Sequence, residues 1–254
     1  MNLLALPAFA DNYIWMLHDG ARAVVVDPGD AAPVVDALER LQLQLAGILV
    51  THHHGDHTGG VDGLRPRLHG PVYGPARERI PEPFVALKEG DRVQILGLNF
   101  AVIDVPGHTS GHIAYAEESV SSPLLFCGDT LFSAGCGRLF EGTPAQMHQS
   151  LSKLSALPDN TQVCCTHEYT LSNLRFAQAV EPDSTAIQAH RLHCESLRAE
   201  GLATLPSNMA QEHRINPFLR CTEPAVVRAV QAQGEAPTSP VEVLAALRAW
   251  KNRF

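Results

Sequence analysis

Positive charge is scarce in this 254-residue chain, which has 19 Lys and Arg against 27 Asp and Glu and a formal net charge of -8 at pH 7. Proteins that bind nucleic acid depend on a basic surface that neutralises phosphates. The charge balance therefore argues against a nucleic-acid partner, and in particular against an RNA-processing nuclease.

The chain also lacks a long apolar run, because no stretch reaches the roughly 18 residues that a membrane-spanning helix needs. Its amino-terminal stretch, MNLLALPAFADNYIW, has no basic region and meets Asp11 early, which is unlike a signal peptide. The six cysteines include no C-x-x-C pair, a pattern that fits a reducing compartment. We therefore expect a cytoplasmic protein without a membrane partner.

The order of sequence patterns predicts an α/β region followed by helices. Strand-like runs are NLLAL, NYIWML, RAVVVD, AGILVT, RVQIL, NFAVIDV, IAYAE, PLLFCGD and TQVCCTH, and helical patterns occupy residues 31–42 and PAQMHQSLSKLSAL. From about Thr170 the segments carry helical periodicity, punctuated by Pro, Ser and Gly. We place a domain boundary near residue 168, which divides the chain into domains of residues 1–168 and 169–254.

Residues 51–60, THHHGDHTGG, directly follow the apolar strand AGILV. In an extended chain the side chains of His52, His54 and Asp56 point the same way, and that of His57 faces a second direction. Two sets of ligands that leave one short loop suit two neighbouring cations, and imidazole with carboxylate binds zinc, iron or manganese. The alternative is a solvated loop that merely contains many histidines.

Further metal-type residues recur at the ends of later predicted strands. His108 follows NFAVIDVPG, Asp129 follows PLLFCG, and His167 follows TQVCCT. Strands that present ligands on their terminal loops are a common way to build a site. The recurrence favours a metal site over a solvated loop, and its predicted ligands are His52, His54, Asp56, His57, His108, Asp129 and His167.

Three further residues are candidates for supporting contacts near these ligands. Metal-bound imidazoles usually donate their second N–H to a carboxylate or carbonyl, and Asp27 at the end of RAVVVD could accept such a bond. A turn residue in the sequence DPG is the alternative for Asp27. For Cys136 the alternative is a buried inert thiol, and for His112 we expect a structural or supporting role rather than ligation.

These motifs, an H-x-H-x-D-H loop, PGHTSGH and FCGDTLF followed by a lone His, resemble the metallo-β-lactamase superfamily. The resemblance covers roughly residues 1–168 and implies an αβ/βα sandwich, in which two packed sheets carry helices outside and a two-metal site at one edge. A finer similarity, to the glyoxalase II family of hydroxyacylglutathione hydrolases, lies in residues 126–143, 166–177 and 216–220. It extends over nearly the whole chain and implies that residues 169–254 form a helical substrate-binding domain.

The family resemblance implies two divalent metal ions per chain, with zinc favoured and iron or manganese also suitable. His52, His54 and His108 would bind one metal, Asp56, His57 and His167 the other, and Asp129 would bridge them. The nucleophile would be a metal-bound hydroxide, and no further residue would be catalytic. Hydrolysis of S-(2-hydroxyacyl)glutathione, such as S-D-lactoylglutathione, would release glutathione and D-lactate in methylglyoxal detoxification.

The same resemblance implies residues that bind the small-molecule substrate. Arg248 and Lys251 match a pair that binds the glycine carboxylate of glutathione, and Arg138 and Tyr169 match other substrate contacts. The alternative for Arg248 and Lys251 is that they are ordinary cations near a helix C-terminus, where the helix dipole favours positive charge. Phe140 stands where some members carry Tyr, which removes one hydroxyl contact. We expect the protein to be a monomer.

Three other functions remain open on the sequence. A persulfide dioxygenase of the same superfamily uses one iron and a glutathione substrate, and the long helical tail argues against it. A lactone or β-lactam hydrolase would not need the basic terminal helix or the segment GCGRLFEGT. A non-enzymatic metal-binding module would hold metal without hydrolytic activity.

Overall fold

The computed structural model describes residues 1–117, 121 and 123–254. Within them, the first sheet has six strands that follow one another in chain order. They are β1 Asn2–Ala8, β2 Asn12–His18, β3 Arg22–Val26, β4 Gln44–Leu49, β5 Val72–Pro75 and β6 Val85–Leu87. β1, β2 and β3 pair antiparallel, whereas β3 to β6 pair parallel, so the sheet is mixed.

A second mixed sheet, also of six strands among the described residues, has the order β14-β13-β10-β9-β8-β7. Its strands are β7 Arg92–Ile95, β8 Leu98–Asp104, β9 Ile113–Glu117, β10 Leu124–Gly128, β13 Gln162–Cys165 and β14 Ser207–Asn208. Between β10 and β13 lies a short hairpin of β11 Leu131–Phe132 and β12 Gly135–Cys136. β10 and β13 run parallel, so the loops that follow them leave from the same edge.

Helices separate the strands and dominate the last third of the chain. They are α1 Ala32–Leu41, α2 Gly55–Thr58, α3 Val61–Leu64, α4 Pro144–Ser155, α5 Thr170–Val180, α6 Thr185–Ala199, α7 Met209–Ile215, α8 Pro224–Ala232 and α9 Pro240–Lys251. A capping box of Thr143 and Gln146 begins α4, and the Ser239 side chain caps α9. Among the described residues, no helix is long and apolar enough to cross a membrane.

The alternation of side chains along each strand builds a layered core. In β3, Val24 and Val26 face the cluster shared by the two sheets, whereas Val25 belongs to a second cluster that includes Val34 and other residues of α1. The two sheets therefore pack against each other, and α1 covers the outer face of the first. The predicted αβ/βα sandwich with a C-terminal helical region is confirmed.

The two sheets meet at the edge where the predicted ligands lie. Tyr13 N donates to Thr166 O at 2.7 Å, and Asn12 forms an isolated bridge with His167. His52 follows β4 in the first sheet, and Asp129 follows β10 in the second. Residues that are far apart in sequence are thereby brought to one edge of the sandwich.

Candidate functional site

The histidine-rich loop after β4 does not stay extended. His54 is the N-cap of α2, and Asp56 and His57 lie within that helix. The extended geometry predicted for residues 52–56 is therefore wrong from Gly55 onward, because the chain turns into a helix there. As a result, Asp56 groups with His57 and His167 rather than with His52 and His54.

The seven predicted ligand side chains form one connected cluster. Three overlapping groups have ligand atoms within 4.8 Å of one another: His52, His54 and His108; Asp56, His57 and His167; and His52, His57 and Asp129. We call the first two groups the first triad and the second triad. Asp129 lies between them, because its Oδ1 is 3.3 Å from His167 Nε2 and its Oδ2 is 3.4 Å from His108 Nε2.

Hydrogen bonds to the outer ring nitrogens fix the orientation of four histidines. The pairs are His52 Nδ1 with Thr51 Oγ1 (3.1 Å), His57 Nδ1 with Asp27 Oδ2 (3.0 Å), His108 Nδ1 with Arg138 O (2.9 Å) and His167 Nδ1 with Asp11 Oδ1 (3.0 Å). When the outer nitrogen donates, the inner Nε2 carries a lone pair and can bind a metal. The structure thus places Asp27, a candidate for a supporting contact, directly against His57.

The inner nitrogens of the first triad face one another. His54 Nδ1 lies 3.1 Å from both His52 Nε2 and His108 Nε2. Among the described residues, His57 Nε2 and Asp129 Oδ1 are buried and find no hydrogen-bond partner. Such orphaned groups cost about 1–3 kcal/mol each, and cations would satisfy them. This donor set of imidazoles and carboxylates fits divalent metal ions.

Burial and neighbouring charges shift the acidity of the cluster in opposite directions. Burial holds the pKa of His52 well below its usual value, with nearby histidines acting in the same direction. Burial also works to lower the pKa of His57, but the carboxylates of Asp129 and Asp27 outweigh it and raise that pKa to about 9. Conversely, His57 and His167 hold the pKa of Asp129 below its usual value although burial opposes them. The carboxylate is therefore ionised at neutral pH.

Two supporting residues were not found from the sequence: Asp11, which precedes β2, and Asn12, which begins it. Asn12 Nδ2 donates to Asp56 Oδ2 at 3.0 Å, and Asp11 accepts from His167 as described. His112, by contrast, has the structural role that was expected, since its Nε2 accepts from Asp129 N at 3.1 Å. The sequence signal for these two contacts was an acidic residue beside an amide residue at the start of the strand-like run NYIWML.

A cavity of about 390 Å³ opens beside the cluster. It is lined by His108, Asp129, Phe132, Cys136, Arg138, Phe140 and Tyr169. The ring of Tyr169 stacks on that of His167, with centroids 4.7 Å apart and planes at 4°. Phe140 is 62% exposed, and its ring centroid is 5.2 Å from that of His108. Arg138 and Tyr169, two of the predicted substrate contacts, therefore lie where a ligand would approach the metals.

The two other predicted substrate contacts, Arg248 and Lys251, lie on α9 and are not among the residues that line this cavity. Arg248 is only 6% exposed, and its Nη1 donates to Cys136 O at 2.8 Å. Burial, followed by the charges of Arg248, Arg175 and Arg138, lowers the pKa of Lys251 to about 8. The charges of three arginines thus act on Lys251, and we call Arg138, Arg175, Arg248 and Lys251 the cationic cluster. Arg175 was not predicted as part of it.

Comparison with known families covers almost the whole chain. The model of the metallo-beta-lactamase superfamily matches residues 9–167. The model of the hydroxyacylglutathione hydrolase C-terminus matches residues 168–254. The chain is similar to a hydroxyacylglutathione hydrolase of Albidiferax ferrireducens, with 60% identity over all of both chains. It is similar to one of Pseudomonas aeruginosa at 56% identity over 98% of each chain. These matches confirm the resemblance drawn from the motifs.

Solved structures share the fold. ETHE1 from Myxococcus xanthus has a TM-score of 0.66 and 25% identity, with 99% of this chain and 98% of that one covered. TTHA1623 in a di-iron-bound form has a TM-score of 0.60 and 26% identity, with 86% of this chain and all of that one covered. One protein that shares this architecture is thus known in a di-iron-bound form.

Proposed function

The chain belongs to the metallo-beta-lactamase superfamily, and on that premise we propose that it hydrolyses the thioester bond of S-(2-hydroxyacyl)glutathione. Relatives that are 54–60% identical over almost their whole length carry the name hydroxyacylglutathione hydrolase. The observation that carries the proposal is a cavity lined by His108 and Asp129 of the ligand cluster and by Arg138 of the cationic cluster. S-D-lactoylglutathione would give glutathione and D-lactate in methylglyoxal detoxification.

Two divalent metal ions would be held by the residues that converge in the cluster. The first triad would hold one ion, the second triad the other, and Asp129 would contact both. When bound, such ions polarise a carbonyl oxygen and lower the pKa of water towards neutrality. Zinc is our first choice, since it is commonly bound by imidazole nitrogens and carboxylate oxygens.

The protein's own side chains orient the ligands and bind the substrate. Asp27 and Asp11 hold the rings of His57 and His167 by hydrogen bonds to their outer nitrogens. Burial, with the charge of Asp11 and other carboxylates, raises the pKa of Tyr169 to about 12. The phenol of Tyr169 therefore stays protonated at neutral pH and can donate a hydrogen bond to a substrate in the cavity.

The cationic cluster would bind the glycine carboxylate of glutathione. Arginine and lysine donors bind carboxylates through charge-assisted hydrogen bonds, which are about twice as strong as neutral ones. Arg138 reaches the cavity directly, whereas Arg248 supports the wall by bonding to Cys136 O. We propose a cytoplasmic monomer whose partner is this small molecule.

Steady-state hydrolysis tests the proposal. We expect rapid cleavage of S-D-lactoylglutathione and a lower kcat/KM for the same thioester with its glycine carboxylate converted to an amide. Loss of one charged hydrogen bond is worth about 1.5–3 kcal/mol, so the expected drop is about tenfold or more. Equal kcat/KM values would contradict the role of the cationic cluster, and no cleavage of either compound would contradict the function.

A further inference from the structure

Glu78 is a buried carboxylate that lies outside the proposed ligand set. It follows β5, and its side chain is only 2% exposed. Its oxygens accept from His53 N at 2.6 Å, from Gly111 N at 3.0 Å and from Thr109 Oγ1, and His53 Nδ1 lies 3.0 Å away. A carboxylate has about four acceptor positions, so these four groups use all of them.

The groups that Glu78 binds belong to the two loops that carry the first triad. His53 lies between the ligands His52 and His54, and a bond to its N–H fixes the peptide group between His52 and His53. Thr109 directly follows the third ligand, His108. The described contacts of Glu78 do not include the second triad or the loop of His167.

The absence of a side chain at Gly111 leaves room for this carboxylate. A Cβ at residue 111 would lie 2.6 Å from Glu78 Cγ, which is closer than real Cβ contacts. A glycine at this position therefore lets the Glu78 side chain enter between the two loops. Arg77, the residue before Glu78, also forms an ion pair with Asp104 at the end of β8, the strand that leads to the loop of His108.

His53, Glu78 and Glu141 are close enough together to suggest a further metal site. That interpretation is weaker, because a cation would have to displace donors that already satisfy Glu78. Glu141 is 37% exposed in its side chain and accepts from Ser110 N at 2.8 Å. It connects the same two loops from the solvent side, where hydrogen bonds and ion pairs contribute less.

We propose that Glu78 is a positioning residue for the metal of the first triad. Glu78 accepts hydrogen bonds from the backbone of His53 and from the side chain of Thr109, the residue after His108. These bonds set the spacing of the three imidazoles before a metal binds. The inference rests on the proposed ligand set. Residues that orient metal ligands typically change metal affinity by about 10–100-fold when they are replaced.

Zinc affinity of the full chain, measured by competition with a chromophoric chelator, tests this role. A His167→Ala background leaves only the first triad complete, and a His108→Ala background leaves only the second. We expect Glu78→Gln to weaken zinc binding about tenfold or more in the first background and less than about twofold in the second. The matched control Glu141→Gln should change neither by more than about twofold.

Thr109→Val is a second variant that removes one donor to Glu78 and keeps the side chain's shape. Thr109→Val should lower zinc affinity in the His167→Ala background, by a smaller factor than Glu78→Gln does. Equal losses in both backgrounds would show a merely structural role, and no loss in either would also overturn the inference. If the unsubstituted chain binds no zinc at all, that result contradicts the proposed ligand set itself, and not only the role of Glu78.

Discussion

Asp129 connects the two triads at the scale of single residues. Its Oδ1 lies 3.3 Å from His167 Nε2 in the second triad, and its Oδ2 lies 3.4 Å from His108 Nε2 in the first. We predict that Asp129→Ala loses metal and lowers kcat more than about a hundredfold, since even residues that only orient ligands cost 10–100-fold in affinity or activity. Metal analysis with steady-state kinetics checks this. The exposed control Asp62→Ala should leave both unchanged, and full metal content with normal turnover in Asp129→Ala would contradict the assignment.

Lys251 should make substrate capture depend on pH. Its pKa is lowered to about 8, so the side chain is charged below pH 8 and loses its charge as pH rises through that value. The kcat/KM for S-D-lactoylglutathione reports the free enzyme. We predict that kcat/KM falls above about pH 8. Once Lys251 is fully deprotonated and its charged hydrogen bond is lost, the fall should reach about tenfold or more.

The control for this prediction is Lys251→Arg, whose guanidinium stays protonated across the range. The fall in kcat/KM between pH 7 and 9 should be smaller in this variant. The same fall in both proteins would show that another group titrates, and Lys251 would have no part in binding.

The sequence indicates most of the site's residues, but not their partners. His52, His108 and His167 stand out because each follows an apolar strand, and rigid strand ends present ligands. Asp11 and Glu78 give no such signal, because they reach the site from a hairpin and a turn whose positions depend on the folded sheets. Whether the seven ligands and the four substrate contacts act as assigned stays a prediction.

At the scale of elements, α7 and the residue after it hold the hairpin that precedes Arg138. Asn216 is fully buried, and its Nδ2 donates to Phe132 O at 3.1 Å and to Gly135 O at 2.9 Å. We predict that Asn216→Ala lowers the free energy of unfolding by about 2–4 kcal/mol, because buried acceptors lose their donor. Urea denaturation measures this.

A matched control lies at the other end of the same helix. Asn208 caps α7 by accepting from Gln211 N in an exposed position. Asn208→Ala should therefore cost only about 1 kcal/mol. A cost for Asn216→Ala that is no larger than this would contradict the view that the helical region holds the hairpin in place.

Long, regular elements could be predicted from the sequence, whereas short ones could not. NYIWML lies in β2, and the first twelve residues of PAQMHQSLSKLSAL form α4, since their apolar patterns are continuous. β5 was missed because a strand of four residues that includes Gly and Pro has no clear pattern. The four-residue helix α2 was missed for the same reason, and its absence from the prediction caused the error at Asp56.

At the scale of the whole molecule, the proposed metals would connect loops from both sheets. A ligand that binds only the folded state stabilises it by about 2.7 kcal/mol at a hundred times its Kd. For a chain of this size we predict that chelation lowers Tm by about 5–10 °C, and that added zinc restores it. Calorimetry before and after dialysis against a chelator checks this, and an unchanged Tm would contradict a metal bound by the folded protein.

The charge of the whole molecule contrasts with that of its cavity. The chain carries a formal charge of -8, yet Arg138 of the cationic cluster lines the cavity. A local positive charge of this kind favours the binding of an anionic substrate at the cavity. The division of the chain at residue 168 into two domains stays a prediction.

Hydrolysis of S-D-lactoylglutathione by the metal-loaded protein is the most direct test. Loss of thioester absorbance and release of free thiol are followed, metal content is assayed, and nitrocefin and glutathione persulfide are compared. We predict fast thioester cleavage with about two metal ions per chain, as the two triads require. No thioester cleavage, with hydrolysis of nitrocefin or oxygen uptake on the persulfide instead, would contradict the proposed function.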